Sequence, residues 1–149
     1  WPFASLFVAR ANLLAGHDER VWRTLRWLAA VPGGRGGAWW EFYGDRPTPP
    51  LPPVGLVVWT WAEIVMFFTR ELLGVRPQPR ELVLAPHLLS GLDTVRAELT
   101  IRGVRCKVIL RRTAGEPRVM VAGREIAAPT SVVRLPYPRT ATTIECHVR

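Results

Sequence analysis

Apolar residues recur at two different periods along the chain, and the change of period divides it. Phe3, Leu6, Phe7, Leu13 and Leu14 fall at helical spacing with Arg10 as a polar intruder, and Gly16 is a natural stop. Asp18 and Glu19 then put negative charge at a helix start. Val21, Trp22, Leu25, Leu28 and Ala29 follow on one face, with Arg20, Arg23 and Arg26 on the other. This second helix is amphipathic and ends at Pro32. A third is expected from Leu56 to Leu73, closed by Gly74 with Pro77 beyond. Its first three turns are apolar nearly all round, the pattern of a helix enclosed on several sides. Two preceding helices cannot enclose it, so more helical partners are expected than these residues supply.

After Pro79 the period drops to two. Val95, Ala97, Leu99 and Ile101 alternate with Arg96, Glu98, Thr100 and Arg102; Gly103 turns the chain; Val104, Cys106, Val108 and Leu110 alternate in their turn. A hairpin with one buried face follows. Further strands fit 81–85, 118–122, 124–127, 132–135 and 142–148, with Ala122-Gly123-Arg124 as a tight turn. The expected class is α+β: helices over 1–76, then an antiparallel β-sandwich over 77–149.

Between Pro32 and Pro53 runs a long connection without periodicity, rich in Gly at its start ("GGRGG") and Pro at its end. In its middle stands "WWEFYGD". Loops of this length in compact domains are usually functional or disordered. Aromatic density argues against disorder.

Composition changes this picture only slightly. The chain has 149 residues, 48% hydrophobic, and a formal net charge of +8, which invites nucleic acid or an anionic membrane as partner. The distribution weakens that reading. Residues 75–149 hold thirteen basic and six acidic residues, mostly at outward strand positions, and one of the twenty basic residues is Lys. A solvated basic sheet face is the plainer account, so neither nucleic acid nor membrane is expected. Val54 to Phe68 is an apolar run of about fifteen residues broken by Glu63, against the ~20 that span a bilayer. Glu63 is expected to be a buried partner for an Arg, because ionised groups are buried only when paired. Cys106 and Cys146 lie on apolar phases, and His17, His87 and His147 are scattered. Neither a disulfide framework nor a zinc site is expected, and nothing calls for a cofactor. The first residue is Trp, a helical pattern begins at once, and no signal-peptide pattern is visible. The sequence reads as the C-terminal part of a longer protein; its compartment is left open, with the cytoplasm favoured.

The candidate chemistry is Glu41 and Asp45 among Trp39, Trp40, Phe42 and Tyr43. Aromatic faces cover the apolar faces of sugar rings, and glycoside hydrolysis needs two carboxyls flanking the bond. The residues alone leave three roles open to Glu41: a general base, a sugar hydrogen-bond acceptor, or a charge on the rim of packed aromatics.

The segments "WPFASLFVARANLLAG", "GAWWEFYGD", "WTWAEIVMFF" and "LLGVRP" to "LVLAPHL" give the chain a resemblance. It resembles the C-terminal end of bacterial glycosidases built on an α/α six-hairpin toroid. That set contains glucoamylase, trehalase, the processing α-glucosidases, amylo-α-1,6-glucosidase and α-L-rhamnosidase. The resemblance implies the last helices of an (α/α) six-hairpin toroid followed by the β-sandwich, with an oligosaccharide or glycoside as substrate and the remainder of the toroid as partner. By position, Trp1-Pro2 matches a Trp-Pro element that opens a late hairpin. Glu41-Phe42-Tyr43 matches the segment carrying the general base, and Trp59-Thr60 the pair that begins the last inner helix. The residue after the Tyr, usually Asn or Asp, is Gly44, with Asp45 displaced by one. The implied mechanism is inversion, with Glu41 as base, the acid upstream, and the two carboxyls ~6.5–9.5 Å apart. Trp1, Trp39, Trp40, Tyr43, Asp45 and Trp59 are the implied substrate contacts. The alternative is a non-catalytic carbohydrate- or polyanion-binding scaffold that uses the basic sheet.

Overall fold

The computed structural model describes residues 1–44, 55–127 and 132–149. The class is α+β, and the chain divides into a helical unit, Trp1–Phe67, and a β-rich unit, Phe68–Arg149.

In the helical unit, α1 spans Pro2–Leu14, α2 Asp18–Ala30 and α3 Val58–Met66. Pro2 stands at the first turn of α1, where a missing N–H costs nothing. Leu6, Ala9 and Leu13 recur at helical spacing and are fully or almost fully buried, as are Val21 and Leu28 of α2. Helix α3 has the reverse polarity. Thr60 and Glu63 are buried, while Val58 is 68% and Val65 60% exposed, with Trp59, Trp61 and Met66 also facing out. The side of α3 turned to its own unit is therefore the polar one.

Glu63 is tolerated there because Arg10 of α1 donates from Nη2 to its Oε1. The polar intruders of two apolar helices thus answer each other, as burial of an ionised carboxylate requires. Phe7, Val8 and Leu14 of α1 are likewise exposed, Leu14 at 73%.

The third helix departs from expectation at its end. Over Phe67–Leu72 the turns widen to π-helical form, and the Leu73 N–H reaches Phe68 O, five residues back, at 2.9 Å. Leu73 then joins the core of the β unit. Gly74 is required by close approach. Its φ is +70°, its carbonyl accepts from Ala85 N at 2.9 Å, and a Cβ there would fall 2.1 Å from the Ala85 carbonyl carbon.

The β unit has strands β1 Val75–Pro77, β2 Leu82–Leu84, β3 Thr94–Ile101, β4 Val104–Arg112, β5 Arg118–Val121, β6 Arg124–Ala127, β7 Val133–Leu135 and β8 Thr142–Val148. They form a three-stranded sheet ordered β1-β2-β7 and a five-stranded sheet ordered β3-β4-β8-β5-β6. Leu82, Leu84, Val133 and Leu135 from the first share one core with Cys106, Val108, Leu110, Val119, Ile144 and Cys146 from the second.

The β3–β4 hairpin closes on Arg102-Gly103, both at positive φ (49° and 81°), the conformation that matches strand twist in a two-residue turn. Arg102 is held in that unusual conformation by use. Its Nη2 donates to Pro79 O at 2.8 Å, and its guanidinium carbon lies 3.9 Å from the centre of the Tyr137 ring.

The expected all-antiparallel pairing is corrected in one place: β8 runs parallel to β4, from Cys106↔Thr142 to Arg112↔Val148. Strand β8 lies between β4 and β5 and is antiparallel to β5. β4 and β5 therefore run in opposite senses, and any strand inserted between them must be parallel to one.

Cys106 and Cys146 sit on the inner face, each about 1% exposed or less. Burial pushes both thiols up, Cys146 to about 12, with the Glu145 charge adding to the effect. Both should resist a disulfide reagent at pH 8 in the folded chain and react fully once it is unfolded; rapid labelling without denaturant would contradict this burial. A raised folded-state pKa means that the native state holds the proton more tightly. This contribution to stability is complete below the ordinary thiol value of 9.0 and is lost as pH rises toward about 12.

Candidate functional site

The candidate loop is fastened to the end of α2 before it carries any chemistry. A glycine turn leads off from Ala30, and a Cβ at Gly34 would fall 2.0 Å from Leu28 O, so only glycine lets the chain fold back this closely. Trp39 Nε1 then donates to that same Leu28 carbonyl at 2.9 Å. Leu28 lies in the last turn of α2, where carbonyls lack helical partners. Tyr43 closes the other side: its hydroxyl donates to Pro32 O at 2.8 Å and accepts from Trp40 N at 3.1 Å. Trp40 stacks on Tyr43 with ring centres 5.6 Å apart and planes 12° from parallel, and Trp27 meets Tyr43 edge-on at 6.0 Å.

The same segment is tied to the start of α3. Trp40 makes an isolated antiparallel bridge with Leu56, and Trp61 Nε1 donates to Gly37 O.

These contacts sort the residues singled out from the sequence. Trp39 and Tyr43 spend their polar groups on α2 and on the loop itself, so as substrate contacts they offer ring faces only. Trp40 is half-buried in the stack. Trp1 is 65% exposed and meets Phe42, the residue after Glu41, at 6.4 Å. Trp59 is directed to Phe3 of α1, at 6.5 Å, and among the described residues has no ring contact with the loop. Asp45 lies outside the described residues.

Glu41 is half-buried, and among the described residues its carboxylate takes part in no hydrogen bond or ion pair. Glu63, by contrast, is committed to Arg10. Among the described residues, the loop therefore holds one carboxylate that stays available, on backbone pinned at Trp39 and Tyr43. Such a group can accept a proton from water or hydrogen-bond a hydroxyl.

Sequence reading missed Trp27 and Trp61 as parts of this cluster. Trp27 falls off the apolar stripe of α2, and that displacement was the available signal. Nothing in the spacing of Trp61 announced its bond to Gly37.

The W39F substitution keeps the ring and removes the indole donor. It should lower stability by about 1 kcal/mol in urea unfolding, the worth of one hydrogen bond. An unchanged midpoint would show that Leu28 O finds water instead.

Other polar groups gather in the β unit. Glu145 Oε1 accepts from Arg111 Nε at 2.6 Å and lies 3.1 Å from His147 Nε2. Arg112 donates to the carbonyls of Leu88, Leu89 and Leu92 at 2.9–3.1 Å, fixing the 88–92 connection. Among the described residues, no group of three or more His, Cys, Asp and Glu could hold a metal ion, and no helix is long and apolar enough to cross a membrane.

No protein-family model matches the chain, and no curated protein matches it.

Proposed function

We propose that the helical unit is the closing part of an inverting glycoside hydrolase with a toroidal helical domain, in which Glu41 is the general base. The observation that carries the reading is the Glu41 carboxylate: half-buried, without a partner among the described residues, and set in a cluster of rings anchored at both sides. A base must be free to take a proton from water and must be held in place while it does so. The rings of Trp1, Trp40 and Phe42 supply the apolar surface on which a sugar ring stacks.

A second observation supports an incomplete helical domain. Val58, Trp59, Trp61 and Val65 of α3, with Phe7, Val8 and Leu14 of α1, present apolar surface that these helices do not cover. Neighbouring hairpins of a toroid would bury it. The general acid then comes from one of those hairpins, across the scissile bond from Glu41. In this reading the β unit is a structural companion.

The test is made on the chain that carries the complete toroid, with an aryl glycoside and an oligosaccharide as substrates. Proton NMR of fresh product should show the anomer opposite to that of the substrate, and the E41Q enzyme should lose hydrolysis. Retention of configuration would remove the water-activating role assigned to Glu41.

A further inference from the structure

The outer face of the five-stranded sheet carries a groove of about 470 Å³, within the range of small-ligand clefts. Its shape follows from residue size. Lys107 on β4 lies between Glu98 on β3 and Thr143 on β8, and Arg105 follows two residues away on the same face. Beyond these long side chains the surface drops to Ala122, Gly123 and Ala141. Ala122 adopts φ +49° in the β5–β6 turn, and its N–H donates to Thr143 O at 2.9 Å, which holds the turn down as one wall.

The charges are uncommitted. Neither Arg105 nor Lys107 has an ion pair or side-chain hydrogen bond among the described residues. Glu98 faces Lys107 across the ladder without closing a bridge to it. Elsewhere on the unit Arg76, Arg111, Arg134 and Arg149 all have carboxylate partners.

We propose that this groove binds an acidic oligosaccharide, a sugar chain bearing carboxylates. Arg105 and Lys107 would take a sugar carboxylate, while Glu98 and the Thr143 hydroxyl, which shares the face of Lys107, hydrogen-bond ring hydroxyls. The lining decides against nucleic acid. Among the described residues it contains no aromatic ring on which a base would stack, and Glu98 puts a negative charge in the path of a phosphate backbone. A uronate chain alternates anions with hydroxyls, which matches two cations, one carboxylate and one hydroxyl on this face. The site lies wholly in the β unit and does not depend on the role of Glu41.

Calorimetric titration of the 149-residue chain with tetragalacturonate, neutral galactotetraose and an oligothymidylate tests the proposal. The uronide should bind more tightly than either of the others. K107Q and R105Q should each weaken it about tenfold, the loss expected for a charge-assisted hydrogen bond. R118Q is the control, because this exposed cation lies near the other end of the same sheet, four residues or about 13 Å along the strands from Lys107 and further from Arg105. It should change nothing.

E98Q separates a sugar site from a plain basic patch. At 0.5 M salt, where long-range attraction is screened, it should weaken uronide binding through loss of an acceptor. Tighter binding of E98Q, preference for the oligothymidylate, equal losses for R118Q and K107Q, or no uronide binding would each overturn the proposal.

Discussion

In the enzyme carrying the complete toroid, E41Q is expected to lower kcat/KM for glycoside hydrolysis by about 10²–10⁴-fold, the usual contribution of a positioned general base. Gln keeps the size of Glu and a hydrogen-bonding oxygen but cannot take a proton at neutral pH. A residue that only touches sugar hydroxyls would raise KM and leave kcat nearly unchanged. A base acts in the transition state, so its loss lowers kcat itself. The pH profile gives an independent reading: the acidic limb of kcat/KM, which reports ionisation of the base, should disappear in E41Q. Were Glu41 a rim charge, the exchange would alter stability by no more than about 0.5 kcal/mol and leave the rate alone. An E41Q enzyme with wild-type kcat and an intact acidic limb would falsify the assignment.

The second large effect belongs to Arg10 and Glu63. Replacing Arg10 by Ala leaves the Glu63 carboxylate 5% exposed and without the arginine that answers it. Breaking a buried pair from one side costs about 3–5 kcal/mol; the lower end is expected because Arg10 retains 24% of its exposure. The double exchange R10M/E63L removes both charges and should be neutral or stabilising, because hydrophobic replacements of similar volume also remove the desolvation cost. Tryptophan fluorescence suits the measurement: all seven tryptophans lie in Trp1–Phe67, so a urea titration read this way follows the helical unit. If R10A and the double variant unfold at the same denaturant concentration, the pair is not buried in the way described.

Much of the helical unit was legible in the sequence. The Phe3, Leu6 and Leu13 spacing became α1, the Val21 and Leu28 spacing became α2, and the acidic start of α2 stands where it was expected. Arg10 and Glu63, each a misfit in its own pattern, turned out to be one ion pair. The length of the third helix was read less well. Its apolar run continues through Phe67 and Phe68, and periodicity counts residues without revealing that the turn has widened to π form.

The candidate loop was legible as a composition and not as an arrangement. "WWEFYGD" announced a cluster of rings around a carboxylate. It did not say that Trp39 would close on Leu28 O and Tyr43 on Pro32 O, leaving ring faces for any ligand. Hydrogen-bond donors are common to all Trp and Tyr residues, and which carbonyl each one finds depends on how the glycine turn brings the loop back to α2.

What the sequence determined alone is what local geometry enforces. A helix repeats at 3.6 residues and a strand at two, so each element records in its own residues which side is apolar. That was enough for the α+β class, for the inward Cys106 and Cys146, and for the outward Arg105 and Lys107. The tertiary structure decided the pairings: β8 entering between β4 and β5 and running parallel to one of them, Arg10 meeting Glu63, Trp61 reaching Gly37. These partners are separated by up to several tens of residues. Their choice is made when the chain closes on itself, by the fit of faces that no single period encodes.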